Sequence, residues 1–260
     1  MTPAQIEEVW SMLDRHHLAS VARSGPEPVF AAISGAHLYG FASLDSDVDL
    51  RGAFLHPARE LLGLFPPPET ISVDDQTAID LDWVAHDLRK FSRLMTRHNG
   101  YVLEQLFSPL IVVGGPEHEE LRELGRGCIT RPTARHYQGF ASGRRKRLRE
   151  PDPTVKHLLY AYRVLLTGIH LMRTGEVVAN IQVLNEHFRL PEVDELTARK
   201  RAGAESMTLD AADLARFEPL LEKLESTLSA AHDQSSLPLE PTSTEALNDF
   251  VVRLRFARMH

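Results

Sequence analysis

Residues 29–55 constrain this chain more than any other stretch. Residues 29–33 (Val-Phe-Ala-Ala-Ile) form a short, wholly apolar run suited to a buried strand. A glycine-bounded stretch from Ser34 to Gly40 follows. Residues 47–55 (Asp-Val-Asp-Leu-Arg-Gly-Ala-Phe-Leu) then suit a second strand, which Pro57 ends. Asp47 and Asp49 flank a single apolar residue there. Side chains alternate across a strand, so both carboxylates are expected on one face. Two carboxylates held close together repel unless a cation lies between them, and Mg²⁺ (or Mn²⁺) prefers such hard oxygen ligands.

The motif Asp80-Leu81-Asp82 repeats the pattern on another predicted strand. A neighbouring position in the sheet would set one of these two carboxylates beside the first pair. Three carboxylates with two divalent cations can activate a hydroxyl and stabilise a departing pyrophosphate. Gly35 and Gly40 let the backbone approach a ligand closely. A turn with free N–H groups ahead of a helix can hold a triphosphate. Asp-x-Asp alone is most often a solvated strand face or a turn. Here it stands behind an apolar strand and a glycine turn, and that combination carries the reading.

The rest of the chain falls into two parts. Residues 4–18 read as one amphipathic helix started by Thr2-Pro3. Residues 58–63 read as a short helix, 70–73 and 78–84 as strands around an Asp74-Asp75 turn, and 86–97 and 101–107 as helices. Leu110 to Val113 reads as a short strand closed by Gly114-Gly115-Pro116. Beyond residue 115 the strand signals fade. Helices are expected at 117–125, 133–149, 154–174, 177–186, 192–200, 210–232 and 243–258. The expected class is α+β: a catalytic domain over 1–115 with a small mixed sheet, then a helical domain over 116–260, with the cleft between them holding a nucleotide.

Composition narrows the setting. The chain has 260 residues, 43% of them apolar, enough to bury a core. Its one cysteine, Cys128, permits no internal disulfide and fits a reducing cytoplasm. No signal peptide and no 18-residue apolar run is visible, so no membrane association is expected. The net charge of −7 argues against a protein that coats nucleic acid over its whole surface.

The motif Gly35-Ala36-His37-Leu38-Tyr39-Gly40, six residues, then Asp47-Val48-Asp49-Leu50-Arg51-Gly52 resembles the signature of polymerase β-like nucleotidyltransferases. More narrowly it resembles a branch of bacterial and phage predicted nucleotidyltransferases with Gly-Ser-x-x-Tyr-Gly and Ser-Asp-x-Asp-x-Arg-Gly motifs. The stretch Asp82…Asp87-Leu88-Arg89-Lys90-Phe91…Asn99…Leu103-Glu104 resembles that branch too, as do Lys156-His157…Tyr160…Arg163 and Gly175-Glu176. The resemblance is strong over 30–110 and weaker to about 178. It implies transfer of a nucleoside monophosphate from an NTP to an acceptor hydroxyl with release of pyrophosphate. It further implies that Asp47 and Asp49 bind metal and that Gly35 belongs to the phosphate-binding turn. Asp82 matches the third carboxylate by its distance to Leu88-Arg89-Lys90-Phe91, with Asp80 as competitor. The family's serine after the first glycine is Ala36 here. Ser34 stands on the other side of Gly35 and offers a substitute hydroxyl.

Other residues carry secondary expectations. Arg51 is expected on the opposite strand face from Asp49, in a structural ion pair with a carboxylate. His37 is read as a phosphate contact or a surface histidine, and Tyr39 as a packing residue. Asn99 and Glu104 are read as a helix cap and a structural acid, Cys128 as a buried small residue. Arg144-Arg145-Lys146-Arg147 with Arg149, preceded by Arg131, Arg135 and His136, is the densest basic run. It is either a solvated helix face or a platform for phosphates, with Arg145 and Arg149 sharing a face. Lys156 and Arg163 are the expected substrate contacts of the helical part. The basic run favours an RNA 3′ end as acceptor. A protein hydroxyl, or nucleotide binding without turnover, are the competing expectations.

Overall fold

A computed structural model describes residues 1–43, 46–75, 80–203 and 207–258, with nothing described of the Asp75 side chain. The chain divides into two compact units. The first comprises residues 1–35, 47–129 and 240–260, the second 36–46 and 130–239. This partition lies elsewhere than the composition shift near residue 115. The helix that follows the shift and the last helix of the chain both belong with the sheet.

The first unit is built on five strands: β1 (Pro28–Ile33), β2 (Val48–Phe54), β3 (Thr70–Asp75), β4 (Leu81–Asp87) and β5 (Ile111–Val113). Their order across the sheet is β3-β4-β2-β1-β5. β2 and β4 run parallel and the other neighbours antiparallel, so the sheet is mixed as expected. All six residues of β1 are buried, while β4 alternates buried and half-buried positions and β2 does so until its last three residues, all buried. Asp74 and Asp75 lie within β3, opposite Asp82 and Leu81, rather than in a turn. β3 is an edge strand, where charged side chains guard against further pairing. Part of the expected strand start, residues 78 and 79, lies outside the described residues.

Helices flank this sheet. Residues 4–18 form two helices rather than one, α1 (Pro3–Met12) and α2 (Arg15–Ala22). Thr2 and Gln5 close a capping box on α1, and the Asp14 carboxylate accepts from the N–H groups of His16 and His17. A strong N-cap at position 14 restarts the helix and overrides the continuous apolar stripe. A short helix α3 (Gly35–Tyr39) follows β1, and a single turn, α4 (Ala58–Leu61), follows β2. Helices α5 (Leu88–Thr96) and α6 (Gly100–Leu106) start at Asp87 and Asn99, whose side chains cap them. Asn99 thus takes the capping role expected of it, and Glu104 is buried on α6. Helix α7 (Pro116–Arg126) leads to Cys128, which is buried with its thiol pKa raised by that burial.

The second unit is helical: α8 (Ala134–Arg147), α9 (Val155–Thr174), α10 (Ile181–Phe188), α11 (Pro191–Ala202) and α12 (Ala211–Gln234). α9 is its spine. Fifteen of its residues are buried, and α8 and α12 pack against it. α10 begins at Ile181 because Asn180 caps it, four residues after the expected start. Among the described residues no helix is long and apolar enough to cross a membrane.

The last helix, α13 (Thr244–Ala257), is tied to the sheet by a buried ion pair. Arg255 reaches the Asp87 carboxylate at 2.5 Å, with Asp87 1% exposed, and also donates to His56 O. Removing one member of such a pair strands a buried charge, so Arg255→Ala should lower the unfolding free energy by about 3 kcal/mol in urea titrations. His86, on β4, bonds Thr70 across the edge pair. Burial, then Lys90 and Arg51, push its pKa from 6.5 down to about 4. The unfolded chain therefore takes up this proton first as pH falls. Stability should drop between about pH 6.5 and 4 and level off below, and His86→Gln should make that drop shallower in equilibrium unfolding followed against pH.

Candidate active site

The site grows out of strand register. Parallel pairing of β2 with β4 makes Asp49 and Asp82 direct partners, and antiparallel pairing of β4 with β3 makes Asp74 the next in line. Partnered residues share a face, so three carboxylates form a row across three adjacent strands. Asp80, the competing candidate, precedes β4. Its side chain is exposed and its carbonyl accepts the Val48 N–H at 2.7 Å. Asp47 is half-buried and stands one residue ahead of β2 rather than within it.

Arg51 lies across two members of this row, Asp49 and Asp82. Residues two apart on a strand share a face, so the guanidinium lies on the same side as Asp49, not on the opposite face. It forms the expected ion pairing, to Asp49 Oδ1 at 2.5 Å and to Asp82 Oδ2 at 2.9 Å. Nη1 donates to Leu50 O and Asp82 O, and Nε donates to Tyr101 Oη at 3.1 Å. Burial opposes the charge, but Tyr101, Asp49 and Asp82 outweigh it and raise the Arg51 pKa. Tyr101 was not singled out from the sequence. The available signal was its place two residues after the Asn99 cap, which fixes where α6 begins.

The turn before Asp47 explains its glycines. Ser34, just past β1, donates its N–H to Asp49 O at 2.8 Å. Its hydroxyl is buried and has no hydrogen-bond partner among the described residues. Gly35 sits at φ +58°, and a Cβ there would fall on the Asp49 carboxylate. Only glycine meets both conditions. Among the described residues no three His, Cys, Asp or Glu side chains are grouped closely enough to hold a metal ion, and Arg51 is the cation that Asp49 and Asp82 share. Gly35→Ala should cost at least about 1 kcal/mol of stability. By contrast Gly139→Ala on α8, where a Cβ meets nothing within 4 Å, should gain about 0.5 kcal/mol in thermal unfolding.

The chain changes unit between Gly35 and Ala36 and returns between Ser46 and Asp47. Within the helical unit, residues 36–43 are held tightly. Asn180 donates to Leu38 O at 3.0 Å and leaves no room for a Cβ on Gly40, at φ +87°. Lys200, 1% exposed, donates to Ser43 Oγ at 2.7 Å. His37 and Ala36 are buried, so His37 is not a surface histidine. Tyr39 packs as expected: the Arg163 guanidinium lies 3.8 Å above its ring and Tyr160 meets it edge-on. Neither Asn180 nor Lys200 was identified from sequence. An asparagine before an apolar helix start was the signal for the first.

The basic run splits in two. Arg145 binds three glutamates of α12, Glu218, Glu222 and Glu225, at 2.7–3.0 Å. Arg149 lies beyond the end of α8, so it does not share a helical face with Arg145. Both line a cavity of about 420 Å³ floored by Leu148, Leu158 and Phe217. Arg144 instead turns to the rings of Phe140 and Tyr160. Its pKa is lowered by burial and then by Arg163 and Arg147. Burial lowers the pKa of His136, with Arg163 adding to the shift, and burial lowers that of His157, with Arg144 and Arg147 adding to it. Lys156 is half-buried, one turn before Tyr160 on α9.

The small mixed sheet and the helical region agree with the polymerase β-like fold that the sequence resembles. The chain belongs to the RNA repair pathway DNA polymerase β family, which it matches over residues 8–253. It is similar to an uncharacterized protein of Methanocaldococcus jannaschii, 31% identical over 153 residues. That match covers 57% of this chain and 62% of the relative, so the chain spans less than two thirds of that protein's length. It is also similar to the uncharacterized protein YcgL of Bacillus subtilis, 29% identical over 192 residues, 70% of this chain and 72% of the relative.

Proposed function

We propose that the chain transfers a nucleoside monophosphate from an NTP to the 3′ hydroxyl of an RNA, releasing pyrophosphate. The observation that carries this reading is the Asp49–Asp82 register on parallel strands, with Gly35 pressed against Asp49. The RNA repair association of the family supports an RNA acceptor.

In this reading Asp47, Asp49 and Asp82 hold Mg²⁺ or Mn²⁺. When bound, such ions lower the pKa of the attacking hydroxyl and neutralise charge on the α-phosphate and the leaving pyrophosphate. The chain's own part is positioning. Gly35 presents bare backbone to the phosphates. Ser34 Oγ offers the hydroxyl that Ala36 lacks, in place of one hydrogen bond of about 1 kcal/mol. Asp82 accepts the proton of the acceptor hydroxyl. In the helical unit Lys156, Arg163 and Arg144 are cations suited to a polyanion. His37 is buried and is assigned no step. Arg145, bound to three glutamates, is assigned to the packing of α8 on α12 instead of to substrate.

The experiment incubates each labelled NTP with Mg²⁺ or Mn²⁺, total RNA and lysate protein. It compares wild type with Asp47→Ala/Asp49→Ala and with Asp82→Asn. Label is expected on RNA with wild type, reduced about a hundredfold or more in both variants. Label on protein instead would replace the RNA acceptor with a side-chain hydroxyl. NTP binding without labelling of either would favour a non-catalytic nucleotide-binding module, the reading to which Ala36 lends weight.

A further inference from the structure

The carboxylate row poses a problem that exists before any ligand arrives. Asp49 and Asp82 are direct cross-strand partners and Asp74 is next in the same row. Like charges placed directly opposite one another destabilise a sheet. Arg51 lies across two of the three, and its attachment is unusually complete. One terminal nitrogen spans Asp49 Oδ1 and Asp82 Oδ2. The other donates to Leu50 O at 2.8 Å and Asp82 O at 2.6 Å, and Nε donates to Tyr101 Oη. All three nitrogens are engaged on a side chain only 11% exposed. A planar fork can make this set of bonds and an ammonium group cannot. Tyr101 is in turn placed by the Asn99 cap, which accepts from the Tyr101 and Val102 N–H groups.

We infer that Arg51 is a built-in counter-cation: a positioning residue that holds Asp49 and Asp82 together in the absence of a divalent cation and yields part of that role when one binds. The first half follows from the geometry alone, and the second rests on the proposed metal role of these carboxylates. It makes the site preassembled. A bound metal then adds little stability to the wild-type fold, because the repulsion it would relieve is already offset. Without Arg51 the same metal has more repulsion to relieve and stabilises the fold more.

The test measures thermal unfolding of the full chain in EDTA and in saturating MnCl₂. The variants are Arg51→Gln, Asp82→Asn, the double variant and Tyr101→Phe. In EDTA, R51Q should lower the melting temperature by several degrees, and in the D82N background the same change should cost less than half as much. In MnCl₂, R51Q should gain more than wild type gains. If R51Q does not fold in EDTA, Y101F supplies the readout, with a smaller loss of the same sign that D82N again reduces. Equal cost of R51Q (or Y101F) in both backgrounds would overturn the inference, since Arg51 would then be packing rather than neutralising. A non-additive cycle with equal Mn²⁺ gains in R51Q and wild type would overturn the yielding of that role. A non-additive cycle with no Mn²⁺ shift in any variant would uphold the counter-cation and instead remove the metal reading of the site.

Discussion

The sheet unit depends on one arrangement of charge, a guanidinium lying between two carboxylates that strand register forces into direct opposition. Asp49 and Asp82 cannot move apart without breaking the β2–β4 ladder, and both strands continue into the buried core through Leu50 and Trp83. Repulsion in such a pair is relieved by a cation or by protonation. Arg51 supplies the cation from the same strand and is locked to three carbonyl or hydroxyl oxygens besides. The repulsion between the gathered carboxylates is therefore offset within the fold.

Glycine does the complementary work. Gly35 brings the end of β1 against Asp49, and no other residue fits its backbone angle and its lack of space together. The chain leaves the sheet unit at that residue and re-enters it at Asp47. Residues 36–43 are bound into the helical unit by Asn180, Lys200 and the stacked Arg163. The motif is thus divided between two cores. Its carboxylates belong to one, its aromatic and helical residues to the other.

Charge in the helical unit follows a similar logic of local compensation. Arg145 is neutralised by three glutamates spaced along one face of α12, which fastens α8 to that helix. Its neighbour Arg144 points to Phe140 and Tyr160 and stands among other cations. Two adjacent residues of one basic run therefore have opposite environments, since successive helical side chains point about 100° apart.

The sequence by itself determined the class of fold, most element boundaries and the carboxylate pattern. These depend on local signals: period-two and period-3.6 apolar spacing, prolines, glycines and polar caps. Where a cap was overlooked, as at Asp14 and Asn180, the boundary moved with it. Tertiary structure alone decided which carboxylate stands opposite Asp49, because strand register is set by the packing of the whole sheet and a shift of one residue would turn every side chain over. It alone drew Arg51 toward Asp82 and Tyr101, partners 31 and 50 residues away. It also separated Arg144 from Arg145 and returned the last helix to the sheet through Arg255 and Asp87. Contacts between residues so distant in the chain leave no periodic trace along it.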